Sequence, residues 1–138
     1  MPVSSCNILV VANRTARSAG LEAALRARAE HGPTRYTLVV PLGRVPDARR
    51  IADELAAELR TAGLDVTGHA GAADPLVAVL ELWNPAHYDE IIVSTLPAWN
   101  SRWLRSGLPQ RIERQTGALV RHIEARDPVE TRSSPAMA

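Results

Sequence analysis

Lysine is absent from this chain, so all 16 of its basic residues are arginine. That removes a Schiff-base or lysine nucleophile from consideration. Cysteine occurs once, at Cys6, so no internal disulfide can form. Cys6 stands just before an apolar run and reads as a buried or edge thiol, not a reactive one. Charge of one sign is also lacking: the formal net charge is +1. A surface of mixed, solvated charge is expected, and no nucleic-acid partner. No apolar run approaches the ~20 residues that span a bilayer, so no membrane partner is expected. The opening Met1-Pro2-Val3-Ser4-Ser5 has neither a basic n-region nor a long apolar stretch, and does not read as a signal peptide. The expected compartment is the cytoplasm.

What is present suits one domain. The chain has 138 residues, 46% of them hydrophobic. Residues 1–126 read as an α/β domain. Residues 127–138 are polar and rich in Pro and Ser, a tail with little intrinsic order. No internal repeat is evident.

Short apolar runs alternate with helical patterns. Asn7 to Ala12, Tyr36 to Val40, Leu64 to Thr67, Ile91 to Val93 and Leu119 to Ile123 read as strands. Between them, Gly20 to His31, Asp47 to Ala62, Leu76 to Trp83 and Leu108 to Gln115 read as helices. Asp74 and Pro75 fit an N-cap and a first helical position. The order β-α-β-α-β-α-β-α-β predicts a single-domain, five-stranded parallel sheet with helices on both faces, a Rossmann-like α/β fold. The apolar Ile8 to Val11 and Ile91 to Val93 place strands one and four inside, giving the spatial order 3-2-1-4-5.

In such sheets ligands bind beyond the carboxyl ends of the strands, where strand order reverses. The loops after strands one, two and four are therefore the candidate site. After strand one come Asn13, Arg14, Thr15, Ala16, Arg17 and Ser18. Two readings stand for this turn. It holds an anion through guanidinium and backbone N–H groups, or it caps the next helix through Thr15 or Ser18. Pro41 closes strand two at the same edge. After strand four a long polar loop runs from Ser94 to about Ser106, with Trp99 and Trp103 four apart. Loops of that length tend to be functional. The tryptophans either stack on a planar ligand or plug the top of the sheet.

The strand-one, strand-four and strand-five runs, with this loop between the last two, resemble the universal stress protein family over about residues 7–125. Nucleotide-binding members carry G-x2-G-x9-G-S/T after strand four, and an Asp at the end of strand one that contacts adenosine. Laid on this chain, the glycines fall at Ser94, Pro97 and Gly107, the hydroxyl position at Leu108, and the Asp at Asn13. The resemblance implies an adenine nucleotide alpha hydrolase-like sheet. It also implies a non-enzymatic regulatory or stress-response role, with ATP or another adenine nucleotide as the ligand. One glycine of the loop survives, so ATP binding is expected to be weak or lost; the alternative is a genuine ATP/AMP-binding member. Ligand contacts are expected from Asn13, Arg14, Thr15 and Pro41, and from Ser94, Thr95, Ser101, Arg102 and Gly107. Arg102 or Arg105 would supply charge and the hydroxyls would donate hydrogen bonds. The resemblance further implies a homodimer through strand five.

Other chemistries lack their residues. His31, His69, His87 and His122 show no metal-site spacing. His69 reads as a surface histidine and His122 as an interface or edge residue. There is no G-x-S-x-G elbow and no Walker A loop. A phosphoryl-accepting receiver would need acids after strand one, where Asn13 and Arg14 stand. Asp89 and Glu90 precede strand four at the far end of the sheet and read as a solvated turn.

Overall fold

The computed structural model describes residues 5–97 and 101–125; of Arg14 it describes the backbone alone. The tail read at 127–138 lies outside the described residues, as does Trp99. The strands are β1 (Cys6–Val11), β2 (Thr34–Pro41), β3 (Val66–Gly71), β4 (Glu90–Thr95) and β5 (Val120–Glu124). The helices are α1 (Ala19–Ala29), α2 (Ala48–Thr61), α3 (Pro75–Leu82), α4 (Arg102–Arg105) and α5 (Leu108–Thr116). A 3-10 turn, Arg14–Arg17, joins β1 to α1.

The sheet has the order β3-β2-β1-β4-β5, and each neighbouring pair is parallel. That is the expected architecture. β1 is central because both its faces are apolar. Ile8 and Val10 pack with Leu21 and Leu25 of α1 and Ala52 and Leu55 of α2. Leu9 and Val11 pack with Ala78 and Val79 of α3 and Ile112 of α5. Burying each such side chain is worth about 1.5–3 kcal/mol, so no slip of register is tolerated here. The caps are local: Ser18 Oγ accepts from Leu21 N at 3.0 Å, and Asp74 Oδ1 from Leu76 N at 2.9 Å.

Two expectations are corrected. Strand three was expected at 64–67, but β3 runs Val66–Gly71. The residues Gly68, His69, Ala70 and Gly71 look like turn composition. They are strand because α2 lies directly on them: a Cβ on Gly68 would stand 2.5 Å from the Ala52 carbonyl oxygen. Gly71 is equally constrained, its missing Cβ falling 2.7 Å from Ala78 Cβ and 2.8 Å from Val39 Cγ2.

Glu90 is the second correction. It is no solvated turn residue but the first residue of β4, 4% exposed. Its Oε1 accepts from Arg28 Nη2 at 2.8 Å and its Oε2 from Arg121 Nε at 2.8 Å. The buried carboxylate thereby ties α1 and β5 to β4. The same Arg28 nitrogen donates to Cys6 Sγ at 3.3 Å. Burial pushes the Cys6 thiol above its ordinary range, the lowering by Arg28 being the smaller effect. Asp89 does remain exposed and accepts from Asn7 N at 2.8 Å.

Candidate functional site

A cleft of about 450 Å³ opens at the carboxyl ends of β1 and β4. Its floor is the turn after β1 and the end of β4, contributing Asn13, Thr15, Ser94, Thr95 and Leu96. Ser101, Arg102, Trp103 and Arg105, from the loop before α5, form one wall, and Ala73 after β3 the other. A hollow of about 560 Å³ also runs along the solvent face of α2. It is an open groove among charged side chains such as Arg50, Asp53 and Glu54, away from the strand ends, and offers no enclosed surface to a ligand.

Six of the nine residues expected to contact a ligand meet at the cleft, Asn13, Thr15, Ser94, Thr95, Ser101 and Arg102, together with Trp103 and Arg105. Pro41 and Gly107 do not line it. The Pro41 carbonyl accepts from Asn13 Nδ2 at 3.2 Å, which orients the Asn13 amide. Gly107 precedes α5 with φ +69°, a left-handed conformation that suits glycine and turns the chain into that helix. The side chain of Arg14 lies outside the described residues. Ala73 was not foreseen, because a strand ending at Thr67 would have left it too far from the edge. Extending β3 to Gly71 brings it there.

The hydroxyls of the floor are largely committed to one another. Thr15 Oγ1 and Ser94 Oγ are 2.6 Å apart and both buried. One donates to the other, which leaves one hydroxyl hydrogen of the pair without a partner among the described residues. Thr95 Oγ1 lies 2.9 Å from the Leu96 carbonyl oxygen and 2.6 Å from His122 Nε2, so its one hydrogen is engaged within the protein. So His122, although exposed on the edge strand, is bonded to a residue of the cleft floor. Ser101 Oγ accepts from Leu104 N at 3.2 Å and caps the short α4. Pro97 is buried and has no N–H to offer.

The electrostatics come from α4. Arg102 and Arg105 are exposed and face the cleft, whose lining includes no carboxylate among the described residues. Trp103 between them is half-buried and packs on the core between the sheet and α3/α5. Of the two readings of the tryptophans, Trp103 thus fits the plug and still shows part of its ring to the cleft. Among the described residues no three His, Cys, Asp or Glu side chains stand together as a metal site. No helix among them is long and apolar enough to cross a membrane.

These features define a class: a doubly wound, parallel α/β domain with a polar, cationic cleft at the reversal of strand order. No family model matches the chain, and no curated protein sequence does. Among solved structures, the chain is similar to a universal stress protein in complex with cAMP, at 15% identity and a TM-score of 0.63. The match covers 86% of this chain and 96% of that one. The fold expected from the strand and loop pattern is therefore the fold of a universal stress protein.

Proposed function

We propose that this chain is a non-enzymatic regulatory or stress-response protein, cytoplasmic and homodimeric through β5, in which ATP binding is weak. The observation that carries the reading is the turn after β4. Where the nucleotide-binding pattern has its first two glycines, this chain has Ser94, tied to Thr15 at 2.6 Å, and the buried Pro97. A phosphate cradle needs successive inward N–H groups with no side chain in the way. Here a hydroxyl pair fills the floor and a proline removes a donor. Asn13 in place of the aspartate is turned to the Pro41 carbonyl. The absence of a nucleophilic elbow and of a Walker A loop supports a binding or signalling role over catalysis.

A second reading, a genuine adenine-nucleotide-binding protein, is favoured by Arg102 and Arg105 on the cleft wall and by the cAMP held by the structural neighbour. Titration calorimetry with ATP, AMP, cAMP and NAD separates the two. The expected ATP dissociation constant is above roughly 100 μM, or less than about 5.5 kcal/mol of binding free energy. Tighter ATP binding, or nucleotide that co-purifies with the protein, would overturn the first reading.

A further inference from the structure

We infer that the cleft is built for one phosphate monoester group, gripped by Arg102 and Arg105, and that it disfavours both triphosphates and cyclic diesters. The inference rests on the weak-ATP reading above and deepens it by naming the ligand class. Arg102 and Arg105 are three residues apart on α4, so their side chains are neighbours on one helical face. Both line the cleft. Among the described residues neither lies within ion-pair distance of a carboxylate, whereas Arg28 and Arg121 converge on Glu90 and Arg50 on Asp47 and Glu54. Two guanidinium groups lining a cleft that has no carboxylate among its described residues call for an anion.

Charge and donor count select which anion. A phosphate monoester carries about −1.5 to −2 at neutral pH, which two arginines match. A cyclic diester carries only one negative charge and presents fewer free oxygens to two guanidinium forks. A triphosphate brings more charge than the two arginines described at the cleft match, and Pro97 withholds the backbone donor that would take up part of the rest. The Thr15–Ser94 pair, whose second hydroxyl hydrogen has no partner among the described residues, supplies a neutral donor to the same cleft. The exposed part of the Trp103 ring gives an apolar wall for the organic group that the phosphate esterifies.

The test is calorimetry on the full chain at low salt with inorganic phosphate, AMP, a sugar monophosphate, cAMP and ATP. It is repeated on Arg102→Ala/Arg105→Ala and on Arg102→Lys/Arg105→Lys. AMP should bind at least about tenfold tighter than cAMP, and the double alanine variant should lose about tenfold or more of that affinity. The double lysine variant should recover part of it, since charge returns without the fork. Affinity for AMP should also fall below about pH 6, where the monoester takes up its second proton. Phosphate binding as tightly as AMP supports the site with the free anion as ligand. A clear preference for AMP or for the sugar phosphate supports it with that ester as ligand. Binding of cAMP as tight as AMP, indifference to the alanine variant, or no monoester binding at millimolar concentration overturns the inference. ATP binding tighter than roughly 100 μM instead overturns the weak-ATP reading, and the AMP-to-cAMP ratio still judges the inference separately.

Discussion

Arg28 of α1 and Glu90 of β4 meet at 2.8 Å across the amino-terminal end of the sheet, 62 residues apart in the chain. The carboxylate is almost fully buried, with its side chain 5% exposed, and the guanidinium is partly so at 25%. Arg121 completes the clasp from β5 but is 57% exposed. The hydrogen bond it donates to Glu90 holds the Arg28 guanidinium even more firmly protonated than usual, burial being the smaller, opposing effect.

The clasp predicts an order of severity. Removing one member of a buried ion pair strands the other charge, at a cost of up to about 3–5 kcal/mol where burial is complete. Arg28→Ala leaves Glu90 with only the exposed Arg121, and should cost about 2–3 kcal/mol after allowance for its partial exposure. Arg121→Ala should cost less than about 1 kcal/mol, because Arg28 remains and water reaches Arg121. Urea unfolding of the two variants checks the ranking. Equal losses would show that the clasp is not asymmetric.

Tyr36 predicts a loss of stability at alkaline pH. Its ring is 2% exposed and its hydroxyl donates to the Leu25 carbonyl at 2.7 Å. Burial pushes its pKa up to about 12 from an ordinary 10, against a smaller lowering by Arg28. The neutral phenol is therefore favoured in the fold. The stability this contributes is fully present below pH 10 and is lost as pH rises towards 12. A shift of that size corresponds to on the order of 2–3 kcal/mol. Tyr36→Phe should be less stable at pH 7 and should lose the steep fall between pH 10 and 12. Denaturation curves taken across that range decide it.

Gly68 carries the sharpest test of how α2 seats on the sheet. Gly68→Ala would drive a Cβ to 2.5 Å from the Ala52 carbonyl oxygen, a backbone atom that moves only if the helix moves. The expected loss is about 1–3 kcal/mol or more, read as a lower thermal midpoint. An unchanged midpoint would mean that α2 is not held at this distance.

The same glycine explains which parts of the fold were legible in the sequence. β1, β2 and β4 are largely apolar runs, β5 shows Leu119, Val120 and Ile123, and hydrophobic pattern located all four to within two residues of the observed bounds. β3 escaped beyond Thr67 because Gly68-His69-Ala70-Gly71 has no apolar side chain larger than a methyl to announce a strand. Its identity is imposed from outside, by β2 on one side and α2 above. Glu90 escaped for a related reason. A charged residue reads as solvated unless its partners are known, and Arg28 and Arg121 are remote in sequence. In the cleft, residue types and chain order sufficed to gather Asn13, Thr15, Ser94, Thr95, Ser101 and Arg102. Sequence could not say that most of those polar groups are already bonded within the protein. That depends on distances such as the 2.6 Å between Thr15 and Ser94.

Restoring the nucleotide-binding pattern is the fourth prediction. Asn13→Asp, Ser94→Gly and Pro97→Gly together should raise ATP affinity by at least about tenfold, or about 1.4 kcal/mol. Ser94→Gly also removes the partner of the buried Thr15 hydroxyl, which should cost about 1–2 kcal/mol of stability. Adding Thr15→Ala should return part of that loss, because no orphaned hydroxyl then remains. Calorimetry and thermal unfolding read the two effects separately. A triple variant that binds ATP no better would show that the turn after β4 is not a disabled cradle.

The last prediction concerns β5, which lies at one edge of the sheet. Ile91 N donates to the Leu119 carbonyl and Ala125 N to the Thr95 carbonyl. In a parallel pair the backbone groups of alternate residues point the same way. Positions 119, 121, 123 and 125 therefore face β4, and the N–H and C=O groups of Val120, His122 and Glu124 face outward. Two such edges related by a two-fold axis would pair antiparallel and self-complementary. The polar side chains that can blunt an edge are partly withdrawn here. Arg121 is drawn back to Glu90 and His122 to Thr95, which leaves the outward backbone less guarded. β3, the other edge, lies against α2 through Gly68 and has its Val66 carbonyl taken by Arg60 Nη1 at 2.7 Å. We therefore expect a dimer through β5, with a mass near twice 14.9 kDa by light scattering at micromolar concentration. Val120→Pro removes an outward N–H while sparing every bond to β4, so it should yield a folded monomer. A wild-type mass near that of one chain would reject the dimer, and a dimer that survives Val120→Pro would reject this edge as its seam.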